Sequence, residues 1–336
     1  MIGHAGYARG VTTGQPPAAG ARPLLILAAD LRASLERDLY RLSAPPSPEQ
    51  AARISADKLL IYQALLDATE ELPDAFQPGI LIDEQYGAGV AELAARDKRV
   101  KLAMPIEASG PQWLEFAYGA AWQEHAEHFG TDYAKVLIRD NPGLDPASRA
   151  AQADRLAEVS DWSARGGRPL IVELLVPASP ADLADLEDST GVGTAIGRYN
   201  REVRPRLTVE AIEYLQDHGV APAIWKVEGL DTPEDAAAIA AAARRGGRDA
   251  DCIVLGRHAS HDDLDDWLGV AAPVPGFTGF AIGRSIWWDP LHARLHHRST
   301  ASETRRRIMS RYVDFAMYYL DARAGQHAAP SEPEFW

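Results

Sequence analysis

The apolar segment 224–228 carries a lysine and a glutamate at alternate positions. Side chains alternate across a strand, so Lys226 and Glu228 lie on one face, opposite Trp225. A lysine on a crowded interior face loses hydration, which favours its neutral amine. A neutral amine can attack a carbonyl and form a Schiff base, so Lys226 is a candidate covalent catalyst. A structural ion pair also explains this pattern when it is taken alone.

Charged residues also occupy other apolar runs. Asp30 follows the first run, Lys135 lies in the fourth and Glu173 lies in the fifth. Each is explained alone as a salt bridge or helix cap, but together they are costly as core filling because every buried charge needs a partner. Carbon–carbon cleavage through a Schiff base needs these residue types: a nucleophile (Lys226), a proton-transferring carboxylate (Glu173), a second cation that favours the neutral amine (Lys135) and a ligand for a substrate hydroxyl (Asp30). Glu228 is a further candidate substrate contact, and spacing leaves open which carboxylate is the base.

Two similar turns follow the seventh and eighth apolar runs. Each places a glycine and then an arginine directly after the run, as Gly256 with Arg257 and Gly283 with Arg284. Glycine allows close approach to the backbone, and its amide together with a guanidinium can bind phosphate. Either turn alone is explained by a turn glycine beside a surface arginine, but the two together predict a phosphate site. Arg32 is a candidate contact for a second anionic group.

The composition of the chain excludes some classes of partner and indicates the cellular compartment. The 336 residues carry a net charge of −14 and a single cysteine, which argues against nucleic acid or an anionic membrane as partner and against an internal disulfide. No apolar run reaches the length of a membrane span, and residues 1–22 lack a signal-peptide pattern, so we expect a disordered lead-in and a cytoplasmic protein. The histidines lack metal-site spacing, so no metal or other cofactor is predicted. The sequence leaves open the assembly of the chain into a homo-oligomer.

Short apolar runs alternate with helical stretches along the chain. The strand candidates are 23–29, 79–83, 100–105, 133–138, 170–176, 223–227, 252–255 and 279–282. Eight β-then-α units predict a single (β/α)8 TIM barrel over 23–322, with 323–336 as a tail, and the carboxyl ends of its strands would build the site. The alternative is a doubly wound open sheet, but no Gly-x-Gly-x-x-Gly follows the first strand.

The sequence predicts the structure of two connecting segments, 111–129 and 178–206. Helical composition over 111–129 predicts a helix there. The segment 178–206 is longer than a typical connection and rich in charge, so we expect a solvated surface insertion, with a mobile lid or substrate-gripping loop as the alternative.

Seven sequence blocks resemble class I aldolases of the tagatose-1,6-bisphosphate aldolase type. The resemblance is closer still to the aldolase-like domain fused to the 5-dehydro-2-deoxygluconokinase of myo-inositol catabolism. The blocks are LAADLR (27–32), ILIDEQYG (80–87), KVLIRDNP (135–142), VELLVPAS (172–179), WKVEGLD (225–231), CIVLGR (252–257) and GFAIGRSIWWDPL (279–291).

The resemblance implies a metal-independent TIM-barrel lyase that acts on a phosphorylated sugar. It implies Lys226 as the Schiff-base residue, Asp30, Lys135 and Glu173 as its catalytic companions and Arg284 as a phosphate ligand. The expected reaction cleaves a phosphorylated ketose or keto-sugar acid to dihydroxyacetone phosphate and an aldehyde. One position departs from the family: Leu31 stands where Gln or His is usual. This departure keeps open a phosphosugar-binding regulator without turnover, and a phosphosugar isomerase or epimerase is a third alternative.

Overall fold

Eight parallel strands close into a barrel in the computed structural model, which describes residues 22–187, 194–256 and 260–325. The strands pair in chain order, and β1 also pairs with β8 to close the sheet. The strands are β1 Leu24–Ala29, β2 Gln77–Ile82, β3 Lys101–Pro105, β4 Tyr133–Arg139, β5 Leu170–Leu175, β6 Ile224–Glu228, β7 Asp251–Leu255 and β8 Phe277–Ile282. The predicted (β/α)8 TIM barrel is confirmed, and the open-sheet alternative is wrong.

Helices surround the barrel and connect its strands. They are α1 Pro48–Glu71, α2 Glu84–Arg96, α3 Trp122–His128, α4 Pro146–Gly166, α5 Pro180–Glu187, α6 Ala195–Arg198, α7 Arg204–Asp217, α8 Pro233–Ala243, α9 His261–Ala271, α10 Arg284–Leu295 and α11 Ala301–Arg323. Among the residues described, no helix is both long and apolar enough to cross a membrane.

The barrel interior changes from apolar to charged along its axis. Near the amino ends of the strands, small and aliphatic side chains such as Ile26, Ile171 and Ile253 form a buried inner cluster. Ile171 pairs in register with Ile224, and two residues further along, Glu173 pairs with Lys226. Since side chains at i and i+2 share a face, the charged layer lies directly above the aliphatic one. The aliphatic layer excludes water from below, so these charges must find their partners in each other.

The predicted helix over 111–129 is wrong in its first half. Residues 111–118 form an irregular loop, followed by a short 3₁₀ turn at Gly119–Ala121 and then by α3. The loop folds back on itself, because Glu107 and Phe116 form an antiparallel bridge. Gly110 at the turn has a φ of +114°, a conformation that interrupts a helix and that glycine adopts without strain.

The segment 178–206 is largely helical over its described residues. Its described residues form α5, α6, a π-helical turn at Tyr199–Val203 and the start of α7. Tyr199 is buried, and its hydroxyl donates to the carbonyl of Val176 over 3.0 Å. None of its described residues lines the cavity at the carboxyl end of the barrel, so the substrate-gripping alternative has no contact in its favour.

The predicted chain ends are largely outside the described residues. Of the lead-in 1–22 only Arg22 is described, and the described chain stops at Gly325, two residues beyond the end of α11. The lead-in and the tail 323–336 therefore stay predictions.

Candidate active site

A cavity of about 440 Å³ opens at the carboxyl end of the barrel. Its walls come from strand ends and from the loops after β1, β3 and β8. The predicted site residues that line it are Asp30, Arg32, Lys135, Glu173, Lys226, Gly256, Gly283 and Arg284. Arg257 lies outside the described residues, so its predicted phosphate contact stays a prediction. Eight residues from six separate parts of the chain are thus brought to one cavity, on the face where barrels of this type place their sites.

One carboxylate oxygen joins the two buried lysines of the site. Glu173 Oε2 lies 3.0 Å from Lys226 Nζ and 2.8 Å from Lys135 Nζ. Lys226 is 4% exposed and Lys135 is 1% exposed. Burial opposes the ionisation of Glu173, but attraction to Lys135 and Lys226 outweighs it and lowers the pKa of Glu173. Glu173 can therefore exchange a proton with either amine through a contact that already exists.

Lys135 is enclosed by carboxylates. Its Nζ contacts Asp30 Oδ2 at 2.9 Å and Glu107 Oε1 at 2.8 Å, in addition to Glu173. Burial acts to lower the pKa of Lys135, but the three carboxylates raise it well above its ordinary value. For Asp30, burial is again outweighed by Lys135 and Lys226, and its pKa is lowered. Lys135 therefore stays a cation beside Lys226, as the predicted role of second cation requires.

Glu107 is a site residue that the sequence reasoning missed. It lies two residues beyond β3 and is 6% exposed. Burial raises its pKa, in opposition to Lys135 and Arg32. Its position after the apolar run Leu102–Ile106 is the same kind of signal that identified Asp30 after β1. The sequence therefore contains a signal for Glu107, a charge that directly follows an apolar run.

The turn after β8 brings Gly283 and Arg284 to the cavity wall. A Cβ at Gly283 would lie 2.2 Å from the carbonyl oxygen of Ala28, so only glycine fits where this turn passes β1. Arg284 begins α10, and its guanidinium lies 5.9 Å from the ring centroid of Trp288. Burial lowers the pKa of Arg284. A partly desolvated guanidinium at a helix start suits an anionic group.

Arg32 and Glu228 differ in how they fit their predicted roles. Arg32 lines the cavity, and its Nη2 donates to the carbonyl of Glu107 over 2.8 Å. Glu228 does not line the cavity. Its Oε2 accepts a hydrogen bond of 2.9 Å from the amide of Val176, just beyond β5. This contact favours a structural role for Glu228 over the predicted substrate contact.

A second buried ion pair holds the loop after β1 in place. Lys58 on α1 and Asp83 at the end of β2 are 2% and 0% exposed. Lys58 Nζ contacts Asp83 and also donates to the carbonyl of Leu31 over 2.9 Å. Asp83 in turn accepts from the amide of Tyr86 and caps α2. Leu31 stands between Asp30 and Arg32, so this pair fixes the backbone that carries both site residues.

Replacing Lys135 by methionine is expected to lower the free energy of unfolding by about 3–5 kcal/mol at neutral pH, because Asp30, Glu107 and Glu173 lose their shared cation. In the native protein, the lowered pKa values of Asp30 and Glu173 contribute stability that is lost only as pH falls through those values. In the variant these carboxylates take up protons at higher pH. Urea unfolding across a pH series should therefore show that the free energies of unfolding of the native protein and of Lys135→Met become more similar as the pH is lowered.

Lys101→Met is the matched control for that measurement. Lys101 is a lysine on β3 that pairs with Asp132 at 2.7 Å, but both side chains are more than a third exposed. Loss of such a pair costs about 0–1 kcal/mol. Equal destabilisation of the two variants, or a pH-independent deficit in Lys135→Met, would contradict the account of Lys135 as the centre of the charge cluster.

Comparison with known proteins places the chain in a family. A family model described as "Uncharacterized protein conserved in bacteria (DUF2090)" matches residues 12–323. The chain belongs to this family. No curated protein matches it in sequence. Among solved structures it is similar to fructose-bisphosphate aldolase from Plasmodium falciparum, solved in complex with TRAP and a small-molecule inhibitor, with a TM-score of 0.62, 11% identity and 91% of each chain covered. At this identity the likeness shows the barrel fold alone.

Proposed function

We propose that this protein is a class I aldolase that forms a Schiff base on Lys226. The observation that carries the proposal is the single Glu173 oxygen in contact with Lys226 and Lys135, inside a cavity that also reaches Arg284. A nucleophilic amine, a carboxylate within reach of it and an arginine for an anionic substrate group are the parts that this chemistry needs. The aldolase fold of the structural neighbour and the resemblance of the sequence blocks add support.

The contacts suggest a role for each group. Neutral Lys226 attacks the ketone carbonyl of the substrate, and loss of water leaves an iminium. A carboxylate, for which Glu173 is placed best, takes the proton of the substrate hydroxyl. The electrons of that O–H bond form the aldehyde carbonyl, and those of the broken carbon–carbon bond form an enamine on Lys226. Protonation of the enamine carbon and hydrolysis release the second product.

Two features of the cavity suggest the substrate class. Arg284, Gly283 and Gly256 would hold a phosphate near Lys226. Arg32, which lines the same cavity after β1, would contact a second anionic group. The proposed substrate is a phosphorylated ketose or keto-sugar acid that resembles 2-deoxy-5-keto-gluconate 6-phosphate or tagatose bisphosphate. Cleavage would release dihydroxyacetone phosphate and an aldehyde. We place this reaction in carbohydrate metabolism, with myo-inositol catabolism as the proposed setting.

A panel of phosphorylated keto-sugars tests the proposed activity. The purified protein is incubated with each sugar, and dihydroxyacetone phosphate is measured through its reduction by a coupled NADH-dependent dehydrogenase. The proposal predicts release from at least one sugar. Conversion of a sugar without any dihydroxyacetone phosphate would instead indicate an isomerase or epimerase. Saturable sugar phosphate binding without any conversion would indicate a regulatory binding protein.

A further inference from the structure

In the proposed cleavage the substrate hydroxyl loses a proton, and one group of the site must hold this proton while the aldehyde leaves. Glu173, which contacts Lys226, and Asp30, whose pKa Lys226 helps to lower, are both unfavourable sites for this proton. Glu173 contacts two lysines and Asp30 contacts one, and the pKa of each carboxyl is lowered by that attraction. A base that holds a proton through product departure needs a higher proton affinity than these groups have.

Glu107 has a higher proton affinity than these carboxylates, and a continuous series of contacts connects it to Lys226. Lys226 contacts Glu173 at 3.0 Å, Glu173 contacts Lys135 at 2.8 Å, and Lys135 contacts Glu107 at 2.8 Å. Burial raises the pKa of Glu107. Environments that push the pKa values of neighbouring groups apart separate the group that gives up a proton from the group that keeps it.

The second oxygen of Glu107 supports the same role. Oε2 is buried and receives no hydrogen bond from any described residue. A buried anionic oxygen without a donor is costly, and protonation removes that charge. The charged groups that face Glu107 are Lys135 from β4 together with Arg32 and Asp30 from the loop after β1. Arg32 Nη2 lies 3.8 Å from Oε1, too far for a strong hydrogen bond.

We propose that Glu107 holds the proton of the substrate hydroxyl during aldehyde release and receives and returns it through Lys135. This inference rests on the proposed function. The proton first passes from the hydroxyl to Glu173. Lys135 then gives one of its own protons to Glu107 and takes the proton from Glu173, so Lys135 remains an ammonium, Glu173 is again a carboxylate and Glu107 is a neutral acid. The reverse transfer restores a proton to Glu173 for the enamine carbon.

Glu107→Gln tests the inference, because the amide oxygen still accepts a hydrogen bond from Lys135 but cannot bind a proton. We expect kcat to fall about 10²-fold, the usual scale for a lost proton-transfer group, with KM within about twofold. In the native enzyme Glu107 must be ionised to accept the proton, so kcat should fall as pH drops through its raised pKa. This fall is the acid limb of the pH profile of kcat. In the variant the acid limb should move to lower pH, where Asp30 and Glu173 titrate.

Further variants make the result decisive. Glu107→Asp keeps an acid and should retain the acid limb with a higher kcat than the glutamine variant. Glu92→Gln changes a glutamate on α2 whose side chain is 57% exposed and should leave all parameters unchanged.

A kcat within threefold of the native value in Glu107→Gln, or a lower kcat with an unmoved acid limb, would overturn the inference. If Glu107→Gln fails to fold, loss of the acid limb in Glu107→Asp would overturn it. If the native protein cleaves no sugar, the proposed function fails first and this inference fails with it. If the native protein cleaves sugar and the variants are unchanged, only this inference fails.

Discussion

Replacing Lys226 by methionine is expected to lower kcat for sugar cleavage by on the order of 10⁴-fold or more, the scale seen when a covalent nucleophile is removed. Methionine has a similar length and lacks the amine, so no iminium can form. The fold should persist, because Glu173 keeps its contact of 2.8 Å with Lys135. The measurement is release of dihydroxyacetone phosphate in the coupled assay, with thermal unfolding to confirm an intact barrel.

Lys101→Met again provides the control, since its partly exposed lysine lies outside the cavity lining. That variant should cleave sugar at the native rate. If Lys226→Met retains more than about one hundredth of the native kcat while folded, Lys226 is not the nucleophile and the proposed chemistry is wrong.

Replacing Arg284 by methionine is expected to reduce kcat/KM for a phosphorylated substrate by about 10³-fold, mostly through KM. Hydrogen bonds to charged groups contribute about 1.5–3 kcal/mol each, and a guanidinium can make two to one phosphate. Cleavage of the same sugar without its phosphate should be weak in the native enzyme and unchanged in the variant. Initial-rate kinetics with both sugars measure the effect.

Arg96→Met is the comparison for Arg284→Met, because Arg96 is 77% exposed on α2 and pairs with Glu92. It should have native kinetics with both sugars. An equal loss in Arg284→Met for the phosphorylated and unphosphorylated sugars would show that Arg284 does not bind the phosphate.

The strands and the central charges were predictable from the chain, for a physical reason. Strands buried on both faces are continuous apolar runs, so a charge within such a run stands out. Lys135, Glu173 and Lys226 are such charges, and all three side chains line the same cavity. The closed sheet then brings adjacent strands into register, which is how Glu173 comes to lie opposite Lys226.

Contacts that depend on loop closure were not predictable in the same way. Glu107 lies beyond the end of β3, where its backbone bridges to Phe116, and the loop that forms this bridge was expected to be helical from residue 111. Glu228 has the alternation of a site residue, but its carboxylate binds the amide of Val176. Composition and spacing do not show which backbone amide needs a hydrogen-bond acceptor. They therefore could not predict that Glu228 binds a backbone amide while Lys226 lines the cavity.

The most direct test of the central claim is reduction of the native protein with borohydride in the presence of dihydroxyacetone phosphate, followed by mass spectrometry and peptide mapping. The account predicts a stable adduct of one ligand per chain on Lys226, and its absence when the ligand or the borohydride is omitted. Phosphate-dependent binding of dihydroxyacetone phosphate without an adduct, or an adduct on a different lysine, would contradict it.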